Sequence, residues 1–176
     1  MVFSPAAHYR VFAYYNEWAN HRLYGAVGRL TAEQYRADRG AFFKSVHGTL
    51  NHLLATDRIW MKRLTGEGEA PDRLNAILFD AFDELRAARE AEDRRIINYI
   101  DRLDDTNIEE TIKYRRISSP EPVEQQLGPA LAHRFNHQTH HRGQVHTLLT
   151  GLVGEAPELD LLVFQRLSAG PAGRKP

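Results

Sequence analysis

Apolar residues recur at steps of three and four near the start of the chain, the spacing that places side chains on one face of an α-helix. They are Val11, Phe12, Tyr15, Trp18, Ala19, Leu23 and Ala26. This pattern predicts a first long helix from about Ala6 to Leu30. The next stretch, residues 36–40, contains Arg36, Asp38, Arg39 and Gly40 and is typical of a turn.

Helix boundary signals and apolar spacing predict two further long helices. Ser45 stands where an N-cap is expected, and Gly66 is a typical C-terminal stop, so the second helix extends from Ser45 to Leu64. A third helix is predicted from Asp80 to about Leu103, and residues 86–95 in its middle are interpreted as mostly a charged, solvated face. Its apolar face consists of Phe82, Leu85, Ile96, Tyr99, Ile100 and Leu103.

The pattern changes between Asp104 and Pro122, where apolar and polar residues alternate over a short distance. We expect an extended crossover or a small hairpin in this stretch. A fourth long helix then follows from about Val123 to Thr150, with Gly151 as its C-terminal stop. A short last helix is predicted from Leu159 to Leu167.

Together these elements predict an all-α fold, a four-helix bundle with a long crossover between helices three and four and a short C-terminal helix. Residues 1–170 are expected to form one domain, and residues 171–176 a disordered tail. Such bundles commonly build metal sites from side chains on facing helices.

Composition narrows the classes of function. Lys and Arg together number 23, as do Asp and Glu, so the formal net charge is zero and nothing indicates a nucleic-acid partner. No apolar stretch approaches the roughly 18 residues of a membrane span, and we expect a soluble, cytoplasmic protein. Cysteine is absent, which excludes disulfides, thiolate metal ligands and a cysteine nucleophile.

Histidines are concentrated in the fourth predicted helix. Five of the nine lie between His133 and His146. Residues four apart share a helix face, so His137 with His141, or His133 with His137, could bind one ion. His140 and His146 lie off the line of His137 and His141. Spacing alone does not choose between the two pairs.

A third ligand must come from another helix, and the second helix offers His47 and His52. The two are five residues apart and face different directions. His52 stands among apolar residues and is the better candidate, whereas His47 lies near the helix start. The chain has neither the H-E-x-x-H run of zinc metalloproteases nor the doubled Glu-x-x-His pattern of di-iron bundles.

Four stretches of the chain, covering much of its length, resemble the DinB-like (damage-inducible) family of four-helix-bundle metalloproteins. They are YYNEWANHRL (14–23), SVHGTLNHLLATDRIWMKRLTG (45–66), FNHQTHHRGQVHTLLTG (135–151) and DLLVF (160–164). The resemblance implies that one histidine of the second helix and two histidines before R-G-Q bind a single nickel or zinc ion. In this sequence these residues are His52, His137 and His141.

The resemblance also implies a homodimer that acts in stress response or detoxification. Three imidazoles leave a coordination position open, which is typical of a catalytic ion. Relatives in the wider superfamily resemble metal-dependent transferases of low-molecular-weight thiols, so the leading hypothesis that the resemblance implies is a metal-dependent S-transferase that uses a cellular thiol. The alternatives are a metal-dependent hydrolase of a small-molecule substrate and a non-enzymatic metal-binding protein.

Several polar and aromatic residues are candidates for the surroundings of the ion. Asn16 and Asn20 lie four apart on the first helix and could face a substrate, and Trp60 is a candidate wall of the same pocket. Arg142 is expected to form an ion pair, and Gly143 to permit close helix packing.

Overall fold

The computed structural model describes residues 3–117 and 119–169. In this part the chain forms seven helices and one two-stranded antiparallel sheet, so the fold is predominantly helical, as predicted. The elements are α1 (Pro5–Val27), α2 (Ala32–Arg36), α3 (Val46–Thr65), α4 (Phe82–Asp101), α5 (Asp105–Glu109), β1 (Thr111–Arg116), β2 (Ser119–Gln126), α6 (Leu127–Val153) and α7 (Leu161–Ala169). The predicted tail, residues 171–176, lies outside the described residues.

The second predicted helix has the expected caps. The Ser45 side chain accepts a hydrogen bond from the Gly48 amide at the start of α3, and Gly66 ends the helix with a φ of 74°. Glycine adopts this left-handed conformation without the steric cost that a Cβ would impose. Local sequence signals were sufficient to predict this helix, because Ser45 and Gly66 directly flank its first and last residues.

The predicted limits of the fourth helix are wrong at both ends. Val123 pairs with Tyr114 in the hairpin formed by β1 and β2, so α6 begins only at Leu127. At the other end Gly151 continues the helix, and Gly154 supplies the left-handed cap with a φ of 79°. The hairpin itself is one of the two alternatives predicted for this stretch.

Two short helices, α2 and α5, were missed by the sequence analysis. Each begins with a capping box, in which the N-cap side chain and the N3 side chain bond to each other's backbone amides. The pairs are Thr31 with Gln34 and Asp104 with Asn107. These polar signatures were present in the sequence, but helices of five residues carry no apolar periodicity.

The four long helices contact one another in pairs, α1 against α4 and α6, and α3 against α4 and α6. They enclose two clusters of buried apolar side chains. The first contains Leu23, Tyr24, Leu50, Leu53, Leu85, Val145 and Leu149. The second contains Ala13, Met61, Ile96, Ile100, Leu131 and Phe135. The clusters show that α1 and α6 point in one direction and that α3 and α4 point in the other.

These directions correct the predicted position of the crossover. α4 ends at the second cluster and α6 begins there, so the hairpin connects helices at the same end of the molecule. α3 also ends at the second cluster, but α4 begins at the first. The connection that travels the length of the helices is therefore residues 66–81, between the second and third long helices. No helix in the described part of the chain is long and apolar enough to cross a membrane.

Candidate metal centre

Three imidazoles converge between α3 and α6. The Nε2 atoms of His52 and His137 are 3.3 Å apart, those of His52 and His141 are 3.2 Å apart, and those of His137 and His141 are 3.1 Å apart. α6 presents His137 and His141 one turn apart on one face, and α3 contributes His52 from the facing helix. The structure thus brings together the three histidines that the resemblance selected.

Hydrogen bonds at the far side of two rings fix which nitrogen carries the proton. His52 Nδ1 lies 2.7 Å from the Leu74 carbonyl oxygen, and His141 Nδ1 lies 2.7 Å from the Gln144 side-chain oxygen. Both oxygens can only accept, so each Nδ1 must be the donor and each Nε2 carries a free lone pair. Two such lone pairs 3.2 Å apart repel each other unless a cation lies between them.

The spacing of the three nitrogens fits one small divalent ion. Nitrogen ligands bound to a tetrahedral zinc ion at about 2.0–2.1 Å lie roughly 3.3 Å from each other. The observed triangle has sides close to this value. Among the histidine and acidic side chains of the described residues, these three histidines form the group placed to hold an ion, and they would leave a coordination position for a further ligand.

Burial keeps these rings in the neutral form that binds metals. It lowers the pKa of His52 to about 4, although the Leu74 carbonyl opposes the change. For His137, burial and the neighbouring His141 and His52 lower the pKa to about 3. The pKa of His141 is also lowered, again mainly by burial. Little energy is therefore needed to deprotonate the site before an ion binds.

Phe43 forms one wall of the site and was missed by the sequence analysis. Its ring stacks on His52 with centroids 3.8 Å apart, and it meets His141 edge-on at 5.5 Å. This contact depends on Gly48, because a Cβ at that position would lie 2.2 Å from the Phe43 carbonyl oxygen. Glycine in the first turn of α3, where it lowers helix propensity, was the available signal.

On the other side of the site, Trp60 lies next to the histidine row of α6. Its ring is 5.5 Å from His133, which in turn is 6.0 Å from His137, and it meets Tyr114 of the hairpin at 5.3 Å. Trp60 is therefore separated from the converging nitrogens by one side chain. Its role in a substrate pocket stays a prediction.

Asn16 and Asn20 lie in a buried polar cluster, and their place in a substrate pocket stays a prediction. Both amides donate to the Asp93 carboxylate, and both amide oxygens accept from Arg142. The two residues are fully buried in this polar cluster between α1, α4 and α6. Arg142, for which an ion pair was expected, bonds to these amides and to the Thr139 hydroxyl.

The remaining histidines have other contacts. His47 Nε2 lies 3.1 Å from the Phe79 carbonyl oxygen, so His47, the other histidine of α3, contacts the 66–81 connection and not the converging nitrogens. His133 packs on Trp60, and His140 lies 3.4 Å from the Gln144 amide nitrogen. Neither His133 nor His47 belongs to the converging set. Of the candidates that helix spacing left open, His52, His137 and His141 are the three that the structure brings together.

Comparison with known proteins shows what this chain is similar to. "Protein DinB" of Bacillus subtilis (strain 168) is 24% identical to this chain over 143 residues, covering 77% of this chain and 80% of the relative. The sequence model of the DinB family matches residues 5–172, which include all three converging histidines. The chain belongs to the DinB family.

Proposed function

We propose that this protein is a divalent-metal enzyme that joins a low-molecular-weight thiol, through its sulfur, to an electrophilic substrate. The observation that carries the proposal is the convergence of three neutral imidazoles with a coordination position to spare. The donor set, three nitrogens without carboxylate or thiolate, suits zinc or nickel. The helices that carry it are interpreted as a four-helix bundle.

The residues of the chain hold and shield the ion. His52, His137 and His141 would bind it, while the Leu74 carbonyl and the Gln144 side chain keep two of these rings in the ligating tautomer. When bound, the ion would act as a Lewis acid that stabilises a thiolate near neutral pH.

The reacting sulfur must come from a cosubstrate, because the chain contains no cysteine. In the transfer, the thiol sulfur forms a bond to the electrophilic atom of the substrate. The leaving group departs with the electron pair of the broken bond, and the thiol proton passes to solvent. Phe43 covers one side of His52, and we propose Trp60 and His133 as part of the opposite wall, where the substrate would lie.

The first test is the metal content of the purified protein. We expect one divalent ion per chain in the wild type and none in His137→Ala, measured by elemental analysis. His133→Ala is the matched control, because His133 lies one turn away on the same helix and outside the converging set. It should retain the ion. Equal metal in wild type and His137→Ala would overturn the site.

The second test separates the candidate reactions. Metal-loaded protein is incubated with a panel of electrophiles, with and without cellular thiols, and the products are identified by mass spectrometry. Thiol conjugates that disappear in His52→Ala support the transferase. Hydrolysis without thiol that is lost in the same variant would replace it with a hydrolase, and no product in either arm would leave a non-enzymatic metal-binding protein.

We propose a homodimer as well, which sedimentation equilibrium measures directly.

A further inference from the structure

The 66–81 connection supplies a hydrogen-bond acceptor to the histidine site. The Leu74 carbonyl oxygen lies 2.7 Å from His52 Nδ1, and this contact sets the tautomer of the ring. Yet Leu74 itself is about half exposed, with 46% of its surface accessible, and the connection contains no helix or strand that could hold its carbonyl in place. Some other group must fix this backbone.

Asn51, the residue before His52, makes that attachment. Its side-chain oxygen accepts from the Leu78 amide at 2.8 Å and from the Phe79 amide at 3.0 Å. Its side-chain nitrogen donates to the Phe79 carbonyl and to the His47 carbonyl, both at 3.1 Å. Asn51 is fully buried, and all four of its hydrogen-bonding positions are therefore used.

Other contacts leave Asn51 as the main attachment near Leu74. Arg95 holds the start of the connection, where it donates to the Glu67 carbonyl at 2.6 Å. His47 shares the Phe79 carbonyl with Asn51. Between Leu74 and Phe79 only Ala76 is fully buried, and Leu78 and Phe79 are partly buried against the first apolar cluster. Apolar contacts are non-directional and do not set where a backbone carbonyl points, whereas the hydrogen bonds of Asn51 do. The position of the Leu74 carbonyl thus depends on the segment that Asn51 fixes four residues later.

We infer that Asn51 is a positioning residue for the metal centre: it holds residues 74–79 so that the Leu74 carbonyl orients His52. The residue touches neither the converging nitrogens nor any position where substrate would lie. It acts through the backbone of the connection, and its effect is on how tightly the ion is held. This inference rests on the proposed metal site, and its test is chosen so that the two can fail separately.

The test compares Asn51→Ala and Asn51→Asp with the wild type. Thr49→Val is the matched control, because Thr49 is equally buried on α3 and its hydroxyl bonds only within that helix, to the Ser45 carbonyl. The zinc dissociation constant is measured by competition with a chromophoric chelator. Loss of a group that orients a ligand typically weakens metal binding by 10- to 100-fold, and we expect about tenfold for Asn51→Ala.

A second readout does not involve metal. In metal-free protein, the nitrogen-15 chemical shifts of His52 report which ring nitrogen carries the proton. We expect protonated Nδ1 in the wild type and Thr49→Val, and a mixture of tautomers in Asn51→Ala. Asn51→Asp preserves side-chain volume and both acceptor contacts but turns a carboxylate oxygen toward the His47 and Phe79 carbonyl oxygens. It should change the tautomer in the same direction, and it decides the matter if Asn51→Ala does not fold.

Two results would overturn the inference: zinc affinity within twofold of the wild type in the Asn51 variants, or an unchanged His52 tautomer in them. If the wild type binds no zinc at all, the proposed function fails, but the tautomer measurement still tests the role of Asn51. If the wild type binds zinc and Thr49→Val weakens it as much as Asn51→Ala does, general loss of stability explains the effect and the inference is rejected.

Discussion

Asp57 is the residue whose replacement should most damage the fold. It is fully buried on α3, and each of its carboxylate oxygens lies 2.7 Å from a guanidinium nitrogen, one of Arg89 and one of Arg134. Arg89 has a second carboxylate partner, Asp93, at 3.0 Å. Arg134 is also fully buried, and within the described residues Asp57 is the acidic group that it contacts. Asp57→Asn would therefore leave Arg134 as a buried cation without a counter-charge.

The loss of stability in Asp57→Asn can be estimated because Arg89 keeps Asp93 as a partner, whereas Arg134 loses the carboxylate that it contacts. Removing one partner of a buried ion pair costs about 3–5 kcal/mol, because the remaining charge stays desolvated and unpaired. Small domains are stabilised by only about 5–15 kcal/mol in total. We expect Asp57→Asn to lower the free energy of unfolding by about 3–5 kcal/mol, which would leave a substantial unfolded fraction in a protein at the lower end of that range.

Equilibrium urea unfolding of the metal-free variants, followed by circular dichroism, measures this loss. Asp101→Asn is the control, since Asp101 makes one exposed hydrogen bond, to the Tyr14 hydroxyl, and its variant should lose no more than about 1 kcal/mol. The double variant Asp57→Asn with Arg134→Met removes the orphaned cation and should be more stable than the two single effects predict. A loss below about 1 kcal/mol in Asp57→Asn, or additive effects in the double variant, would refute the reasoning.

Two further predictions concern the site. Gly48→Ala should displace the Phe43 backbone and weaken zinc binding, measured by chelator competition. Gly143→Ala is the control and should leave zinc binding unchanged, because the structure leaves open space around the added methyl group. Equal zinc affinities in the two variants would contradict the role of Gly48. Metal-free protein should lose stability as the pH falls from about 6.5 toward 4, because His52 and His137 have pKa values of about 4 and 3 and the unfolded chain binds their protons first. Urea midpoints across this range test it, and a flatter dependence is expected in His137→Ala.

Features set by local sequence were predictable, and those set by helix direction were not. The caps of α3 at Ser45 and Gly66 and the hairpin before α6 follow from neighbouring residues. Apolar periodicity, however, is the same for a helix that points up or down. The crossover was therefore assigned to the wrong connection, although residues 66–81 are the ones that travel along the helices.

The candidate site shows the same division. Spacing along one helix identified His137 with His141 but left His133 open, since ring positions four apart are equivalent until a facing helix is placed. The choice between them needed the family resemblance, and the structure supplies the reason in the position of His52 on α3. The hydrogen-bond acceptor of His52, the Leu74 carbonyl, could not be predicted. Every residue has a backbone carbonyl, so the residue type at position 74 does not indicate this contact.

The buried charges of α4 were misread for a related reason. Residues 86–95 were interpreted as a solvated face, yet Arg89, Glu92 and Asp93 are buried. Charged residues have the same spacing whether they face water or a buried partner. The partner of Arg89, Asp57, stands in a different helix within an apolar stretch. An aspartate at that position was the one available sign that the molecule has a charged interior.

One ion pair of this charged interior, Asp57 with Arg134, joins the same two helices as the histidine site, and that placement has a physical consequence. α6 carries two adjacent rows of residues four apart: one contains His137 and His141, and the other contains Arg134 and Gln138. Asp57 pairs with Arg134 about one and a half turns along α3 from His52. Apolar packing alone tolerates small shifts of one helix against another, whereas separating a buried ion pair leaves both charges desolvated and unpaired. A triangle of nitrogens with sides of 3.1–3.3 Å requires two helices held to within a few tenths of an ångström. The buried ion pair of Asp57 and Arg134 restrains α3 against α6 in this way, directly beside the site that depends on their spacing.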